Sequence, residues 1–477
     1  MGTNLLGRIK QGSWLSVVKL LTGLVKIKAL AILLGVAGLG VFSLAVQYQM
    51  AIAAATAMGM SVVIINKGRP HYIVGEYEKV GEIVGASIVA LFINSSIVLV
   101  IVAGIYVSGA SDYIPADFGW GALLAVLLSG ILVSTSIVLG EGVCILADKY
   151  NLYVKINVVA AILEIPVIFI FSIYFSIAGA VFGIFVASMI QVVAYFFILS
   201  RTGSVEIILD NIFLNFKSIS IFYGSSVIFI GLALVPQVLP LLARNFLVAF
   251  RGGYENGLLQ VVTAAEAYLL PFIVAGVTGY LHPIVAETGD CPKSREHLIF
   301  VLDKTFPISI AGAMLVVLGV PILIPFVYSQ DFSSSEKLFF VYFLFEPFFI
   351  MNYIMWMYFM GAQLYKTTLV NNVVYFFALM IVTIFLSKEM GAEAYVYGHA
   401  IGSILALMMN VFWLFRNFQG RKFNIKLPVV MLLSYWVVLV VSNQQYSIDV
   451  INNSVRLSLV LGCVLCVALY KIIRRGK

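Results

Sequence analysis

The chain has 477 residues, of which 62% are hydrophobic and only 11% are charged, with a mean hydropathy of +1.06. Soluble domains average about 45–50% apolar and about 25% charged residues, so this balance excludes a soluble enzyme or a soluble binding domain. The formal net charge of +7 does not indicate nucleic acid, because the basic residues collect in alternate polar connections, the pattern that orients helices in a bilayer.

Hydrophobicity recurs in blocks of about 20 residues, the length an α-helix needs to cross the hydrocarbon core. A transmembrane β-barrel would instead alternate over segments of about 10 residues. The chain is predicted to be an all-α polytopic membrane protein of about 14 transmembrane helices. The spans fall near 12–35, 41–66, 82–107, 119–146, 154–175, 178–200, 217–243, 255–281, 304–328, 337–362, 367–387, 394–416, 427–442 and 455–472. In this register the cytoplasmic segments hold 21 of the 29 Lys and Arg residues and the opposite side holds five. That asymmetry places both termini in the cytoplasm. The first span is followed by no small-residue cleavage site and is expected to stay as an anchor.

That first span carries the remaining three basic residues, Lys19, Lys26 and Lys28. A lysine at mid-membrane costs about 2.5–3.5 kcal/mol on insertion scales. On a helix, Lys19 and Lys26 lie seven residues and about 20° apart, with Ser16 and Gly23 on the same stripe. Their Cα atoms rise roughly 10 Å over two turns. The pair reads as a ladder for an anion, and Lys28 lands on the opposite side. A helix wetted on two sides, or kinked near Gly23, would let all three serve. Snorkelling to the interface is the structural alternative.

Carboxylates recur near the middle of later spans. Glu164, Glu266 and Glu346 are each followed closely by a proline, at Pro166, Pro271 and Pro347. Intramembrane carboxylates bind a coupling cation or proton, or pair with a basic residue, and the sequence leaves both readings open. Glu141, between two glycines, gives a weaker signal. Pro236 and Pro240 bend the seventh span, which Arg244 is expected to end.

No enzyme signature, cofactor motif or metal-ligand spacing is present. There is no phosphate-binding glycine loop with a Lys-Ser/Thr partner. His71, His282, His297 and His399 are not spaced as ligands, and His71 and His282 suit hydrogen bonding at the interface. Cys463 and Cys466 form a C-x-x-C inside the last span and read as core residues. The aromatic runs Phe339–Phe349 and Tyr353–Phe359 read as interface belts and inter-helix packing.

Organisation follows from the polar connections. Ser200–Lys217 separates six spans from six, and its Glu206–Lys217 stretch is amphipathic, suited to the inner membrane surface. Expected units are an N-terminal six-helix lobe (1–205), a C-terminal six-helix lobe (206–416) and two additional helices (417–477).

From Gln11 to about Lys79 the chain resembles the Wzx-type O-antigen and polysaccharide flippases of the multidrug/oligosaccharidyl-lipid/polysaccharide exporter superfamily. The residues concerned are Val18-Lys19, Gly23-Leu24-Val25, Lys28–Ala31, Leu34-Gly35-x-Ala37–Gly40, Met58-Gly59 and Ile64–Lys67. Val36 stands where the family has Pro. The resemblance implies two lobes around a central cavity. It also implies transfer of an undecaprenyl-pyrophosphate-linked oligosaccharide from the cytoplasmic to the periplasmic leaflet of a bacterial inner membrane. An ion gradient drives the family. Its lysine after Gly-Leu-Val matches Lys28. Lys19, Lys26, Lys28 and Arg244 would hold the pyrophosphate, and Glu164, Glu266 or Glu346 would couple an ion. Polysaccharide polymerase machinery is a further expected partner. A multidrug exporter and a lipid II flippase of the same superfamily are the rivals. A membrane glycosyltransferase is disfavoured, because the longest outside connection, Ser442–Ser454, carries only Asp449 as a charge.

Overall fold

A computed structural model describes residues 2–107, 119–202, 212 and 220–417. All regular structure among them is helical: α1 (Gly2–Ala57), α2 (Met60–Ile73), α3 (Tyr77–Val107), α4 (Trp120–Ile137), α5 (Tyr150–Leu199), α6 (Ser220–Arg251), α7 (Gly253–Thr288), α8 (Pro292–Val327), α9 (Glu336–Gly361), α10 (Tyr365–Met390) and α11 (Ala392–Asn417). A π-helical turn, Val138–Cys144, extends α4. The polytopic all-α architecture expected from hydropathy is the one observed.

Two elements each hold two of the expected spans. A straight 56-residue helix would run about 84 Å at 1.5 Å per residue, far beyond a hydrocarbon core of about 30 Å. Helix α1 accordingly breaks at Gly35, whose φ of 65° and ψ of −173° are far from helical. Helix α5 breaks at Ser176, a non-glycine residue held at φ 51°. Such a left-handed residue costs about 1–2 kcal/mol, which the surrounding packing must offset. With those divisions, the first twelve expected spans are present as helices. The spans at 427–442 and 455–472, and most of the Ser200–Lys217 connection, lie outside the described residues.

Three expectations are corrected. The second span is not one helix, because Met58 (φ 42°) and Gly59 (φ 72°) interrupt it and α2 then carries it on to Ile73. Arg244 does not end the seventh helix, which continues through both prolines to Arg251. The first helix is not broken at Gly23 but runs continuously to Gly35.

Packing sets what faces what. Helix α1 packs with α4 and α5 of the N-terminal half, its second arm meeting both through Ala45, Ile52 and Gln49. Its second arm crosses α6 and α7 of the C-terminal half at very close range. A Cβ on Gly40 would lie 1.9 Å from the carbonyl oxygen of Gly253, and one on Gly257 would lie 2.0 Å from that of Val36. Only glycine permits that approach. Asn256 secures it by donating to the Gly40 carbonyl (2.7 Å) and to Ser43 Oγ (3.1 Å). Tyr48 donates to Asn245 Oδ1 at 2.7 Å. The two halves are thus clasped at the end where α1 turns.

Helix α9 is the central element of the C-terminal half. Its aromatic run is core packing, not an interface belt. Phe339, Tyr342, Phe343, Phe345, Phe349 and Trp356 are all buried. Phe349 and Trp356 meet Tyr375 of α10, with centroids 5.2 and 5.8 Å apart. Such aromatic pairs contribute about 0.5–1.5 kcal/mol each beyond area burial.

Candidate functional site

The intramembrane charges fall into two groups. The first belongs to the N-terminal half. Lys19 and Lys26 project from the first arm of α1 toward α4 and α5. Lys26 Nζ lies 2.8 Å from Glu164 Oε1, and the two side chains remain 25% and 30% exposed. Glu141 and Glu164 both act electrostatically on Lys19, which is exposed. Glu141 is presented by the π-helical turn and lies 3.5 Å from Ser61 Oγ on α2. π-turns widen a helix locally and recur at functional sites. Lys26 with Glu164 is the direct pair, and Lys19, two helical turns and roughly 10 Å along α1, lies within electrostatic range of both Glu141 and Glu164.

Lys28 is not part of this group. Its ammonium donates to the carbonyl oxygen of Phe326 on α8 and sits 5.1 Å from the centre of the Phe326 ring. The helical wheel separates Lys28 from the other two, and the fold turns that separation into different neighbours. Lys19 and Lys26 face N-terminal carboxylates, whereas Lys28 reaches the C-terminal half.

The second group is buried in the C-terminal half. Arg244, 2% exposed, donates to Gln260 Oε1 (2.8 Å) and Thr263 Oγ1 (2.6 Å) of α7, and lies 5.4 Å from the ring centre of Tyr395. It acts electrostatically on Glu266, which accepts a hydrogen bond from the Tyr342 hydroxyl. Glu346 is 4% exposed. Its Oε2 lies 3.6 Å from Nε2 of the fully buried His399, and neither atom has a hydrogen-bond partner. His399 Nδ1 meets the Tyr375 hydroxyl at 2.7 Å, and the imidazole stacks on Tyr342 at 4.1 Å. Below this cluster an amide chain continues, Asn371 to Asn410 (2.7 Å) and Asn410 to Asn352 (2.9 Å). Arg244 is thus placed with Glu266 and Glu346, not with the lysines. Among the described residues no group of three His, Cys, Asp or Glu is arranged to hold a metal ion.

Sequence reasoning undervalued Glu141 and passed over His399. The flanking glycines were the signal for Glu141: a Cβ on Gly140 would lie 2.4 Å from the Tyr195 hydroxyl, so the turn is pressed against α5. For His399 the signal was an ionisable side chain within an apolar span, expensive in lipid unless it has a task or a partner. His71 behaves as expected of an interfacial residue, with Nδ1 2.6 Å from Glu76 Oε2.

No protein-family model matches the sequence, and no curated protein does. Solved structures are similar in shape. A structure of the lipid II flippase MurJ in an inward closed conformation superposes with a TM-score of 0.71, covering 98% of this chain and all of that one at 14% identity. The overall fold is similar to that of these transporter structures, beginning with this flippase. An inward-facing multidrug resistance MATE family transporter of the MOP superfamily gives a TM-score of 0.64 at 14% identity, over 84% of this chain and 93% of that chain. MATE in a bent conformation gives 0.57 at 15% identity, over 91% and 97%.

Proposed function

We propose that this chain is a lipid-linked oligosaccharide flippase of the bacterial inner membrane. It moves an undecaprenyl-pyrophosphate-linked repeat unit, of the O-antigen or a related polysaccharide, from the cytoplasmic to the periplasmic leaflet. The observation that carries this reading is the accessible Lys19/Lys26 pair on one stripe of a membrane-embedded helix. Partly exposed ammonium groups attract a pyrophosphate through charge-assisted hydrogen bonds. A site for cationic drugs would carry carboxylates without competing lysines, and here the carboxylates nearest the lysines accompany them. That argues against the multidrug reading. Lys28, on α8's side, would meet the headgroup after the halves move, and Arg244 would act through Glu266.

Transport follows by rocking of the N- and C-terminal lobes about the fixed site, as in secondary transporters. The clasp at Gly40, Gly253 and Gly257 holds the outer end shut in this state and must part for release. The lipid tail stays in the bilayer between the lobes. Glu164, Glu266 and Glu346 are the residues through which an ion gradient would drive the cycle. Polysaccharide polymerase machinery would receive the product.

Deleting the gene tests this. Lipid-linked oligosaccharide should accumulate facing the cytoplasm, and surface polysaccharide should fall. Unchanged surface polysaccharide with raised drug sensitivity would establish the exporter instead. Accumulation of lipid II would establish the other flippase reading.

A further inference from the structure

The two N-terminal lysines are already compensated. Counting formal charges, Lys19 and Lys26 balance Glu141 and Glu164, so this part of the membrane interior is neutral as it stands. A pyrophosphate diester brings two negative charges, one on each phosphorus. Adding it to a neutral group leaves a net charge of minus two, which a low-dielectric site cannot hold uncompensated.

We propose that Glu141 and Glu164 are displaceable counter-ions, whose places on Lys19 and Lys26 the incoming pyrophosphate takes while each released carboxylate accepts a proton from water. Headgroup binding and proton uptake are then one event, located in the N-terminal half. The inference rests on the substrate reading given above and adds Glu141 to the site. No covalent bond to the substrate forms or breaks. Two protons enter with the two phosphate charges, and neutrality is kept.

Three observations support the exchange. The Lys26–Glu164 pair is direct at 2.8 Å yet a quarter to a third exposed, so it can be reached and opened. Among the described residues, Glu141 is held by a 3.5 Å contact from Ser61 and by charge. The π-helical turn that carries it is a local departure from regular helix, in a helix otherwise free of proline. The other titratable groups facing this region are Cys144 on the same turn and Tyr153 and Tyr195 of α5. Ser61 is the polar contribution of α2. The sealed Glu346 and Arg244, at 4% and 2% exposure, offer no comparable route.

The test uses the purified full chain in detergent and a short-chain prenyl pyrophosphoryl sugar as probe. Calorimetry in two buffers of different ionisation enthalpy counts protons taken up on binding. The wild type should take up between one and two at neutral pH, and its affinity should fall as pH rises, by up to about tenfold per pH unit for each proton. Glu141→Gln and Glu164→Gln should each bind several-fold tighter with less uptake, and the double variant should take up none. Glu164→Asp should restore uptake. Binding without proton uptake in the wild type would overturn the exchange by itself, whatever the folding of the variants. So would a double variant that still takes up protons while Lys19→Ala and Lys26→Ala abolish binding. If both lysine variants bind the probe like the wild type, the substrate reading fails as well.

Discussion

The two halves handle intramembrane charge in opposite ways. In the N-terminal half Lys26 and Glu164 pair directly but stay partly exposed. In the C-terminal half Arg244, Glu346 and His399 are sealed among aromatic rings and amides. An exposed pair adds about 0–1 kcal/mol to stability and is easily exchanged. A buried charge that loses its partner costs about 3–5 kcal/mol. The N-terminal charges therefore suit a ligand that comes and goes, and the C-terminal ones suit a fixed framework whose protonation or ion occupancy shifts without opening to a headgroup.

The largest effect should come from Arg244→Leu. It strands Gln260, Thr263 and Glu266 together and should cost about 3–5 kcal/mol, read as loss of the folded protein in thermal unfolding. A stability change below 1 kcal/mol would show that the C-terminal group is not a framework. Next, Gly257→Leu places side-chain atoms where the Val36 carbonyl stands. We expect the clasp between the halves to open, at about 1–3 kcal/mol. Cysteines placed at Ser43 and Asn256, whose side chains meet at 3.1 Å, should cross-link in the otherwise unchanged protein and fail to do so in this variant. Lys26→Ala should sharpen the contrast from the other side, with stability changing by less than about 1 kcal/mol and transport falling at least tenfold. Retained transport would remove the ladder.

Glu346→Gln keeps the side chain's shape while removing its ionisable carboxyl. It should leave headgroup binding intact and flatten the dependence of transport on the imposed ion gradient. The smallest effect belongs to a membrane-edge control, Asp290. Its bonds from Arg295, at 2.7 Å, hold its carboxyl below the ordinary value of 3.8, with the Tyr358 hydroxyl adding to this. A lowered carboxylate contributes stability in full above about pH 4 and loses it as pH falls through the shifted value. Arg295→Gln should lower neutral-pH stability by no more than about 1 kcal/mol, and the difference from wild type should vanish as pH falls through the shifted value.

Much of the fold was legible because the bilayer demands it. Block length gave the helices, and the alternating Lys and Arg counts set the direction expected for them. The mid-span lysines and glutamates stood out as costly wherever they sat. Pairing between a first-span lysine and a mid-span carboxylate was one of two open readings, and Lys26 with Glu164 realises it. The breaks were less legible. Gly35 lies in a glycine-rich turn and was expected, but Ser176 and Met58 adopt left-handed backbone with no residue preference to announce it. Arg244 looked like a helix end because a charge beside two prolines commonly marks one. Burial against Gln260, Thr263 and Tyr395 instead let the helix continue.

The sequence by itself determined that this chain is a bundle of membrane helices and that Lys19 and Lys26 share a face, since length, hydropathy and the helical repeat are local properties. Only the tertiary structure decided what that face meets. How each helix is rotated about its axis, and which one lies beside it, depends on contacts between residues more than fifty positions apart. That placement put Glu164 on Lys26, brought Glu141 within electrostatic range of Lys19 through a π-helical turn, sent Lys28 to Phe326, and enclosed His399 with Glu346.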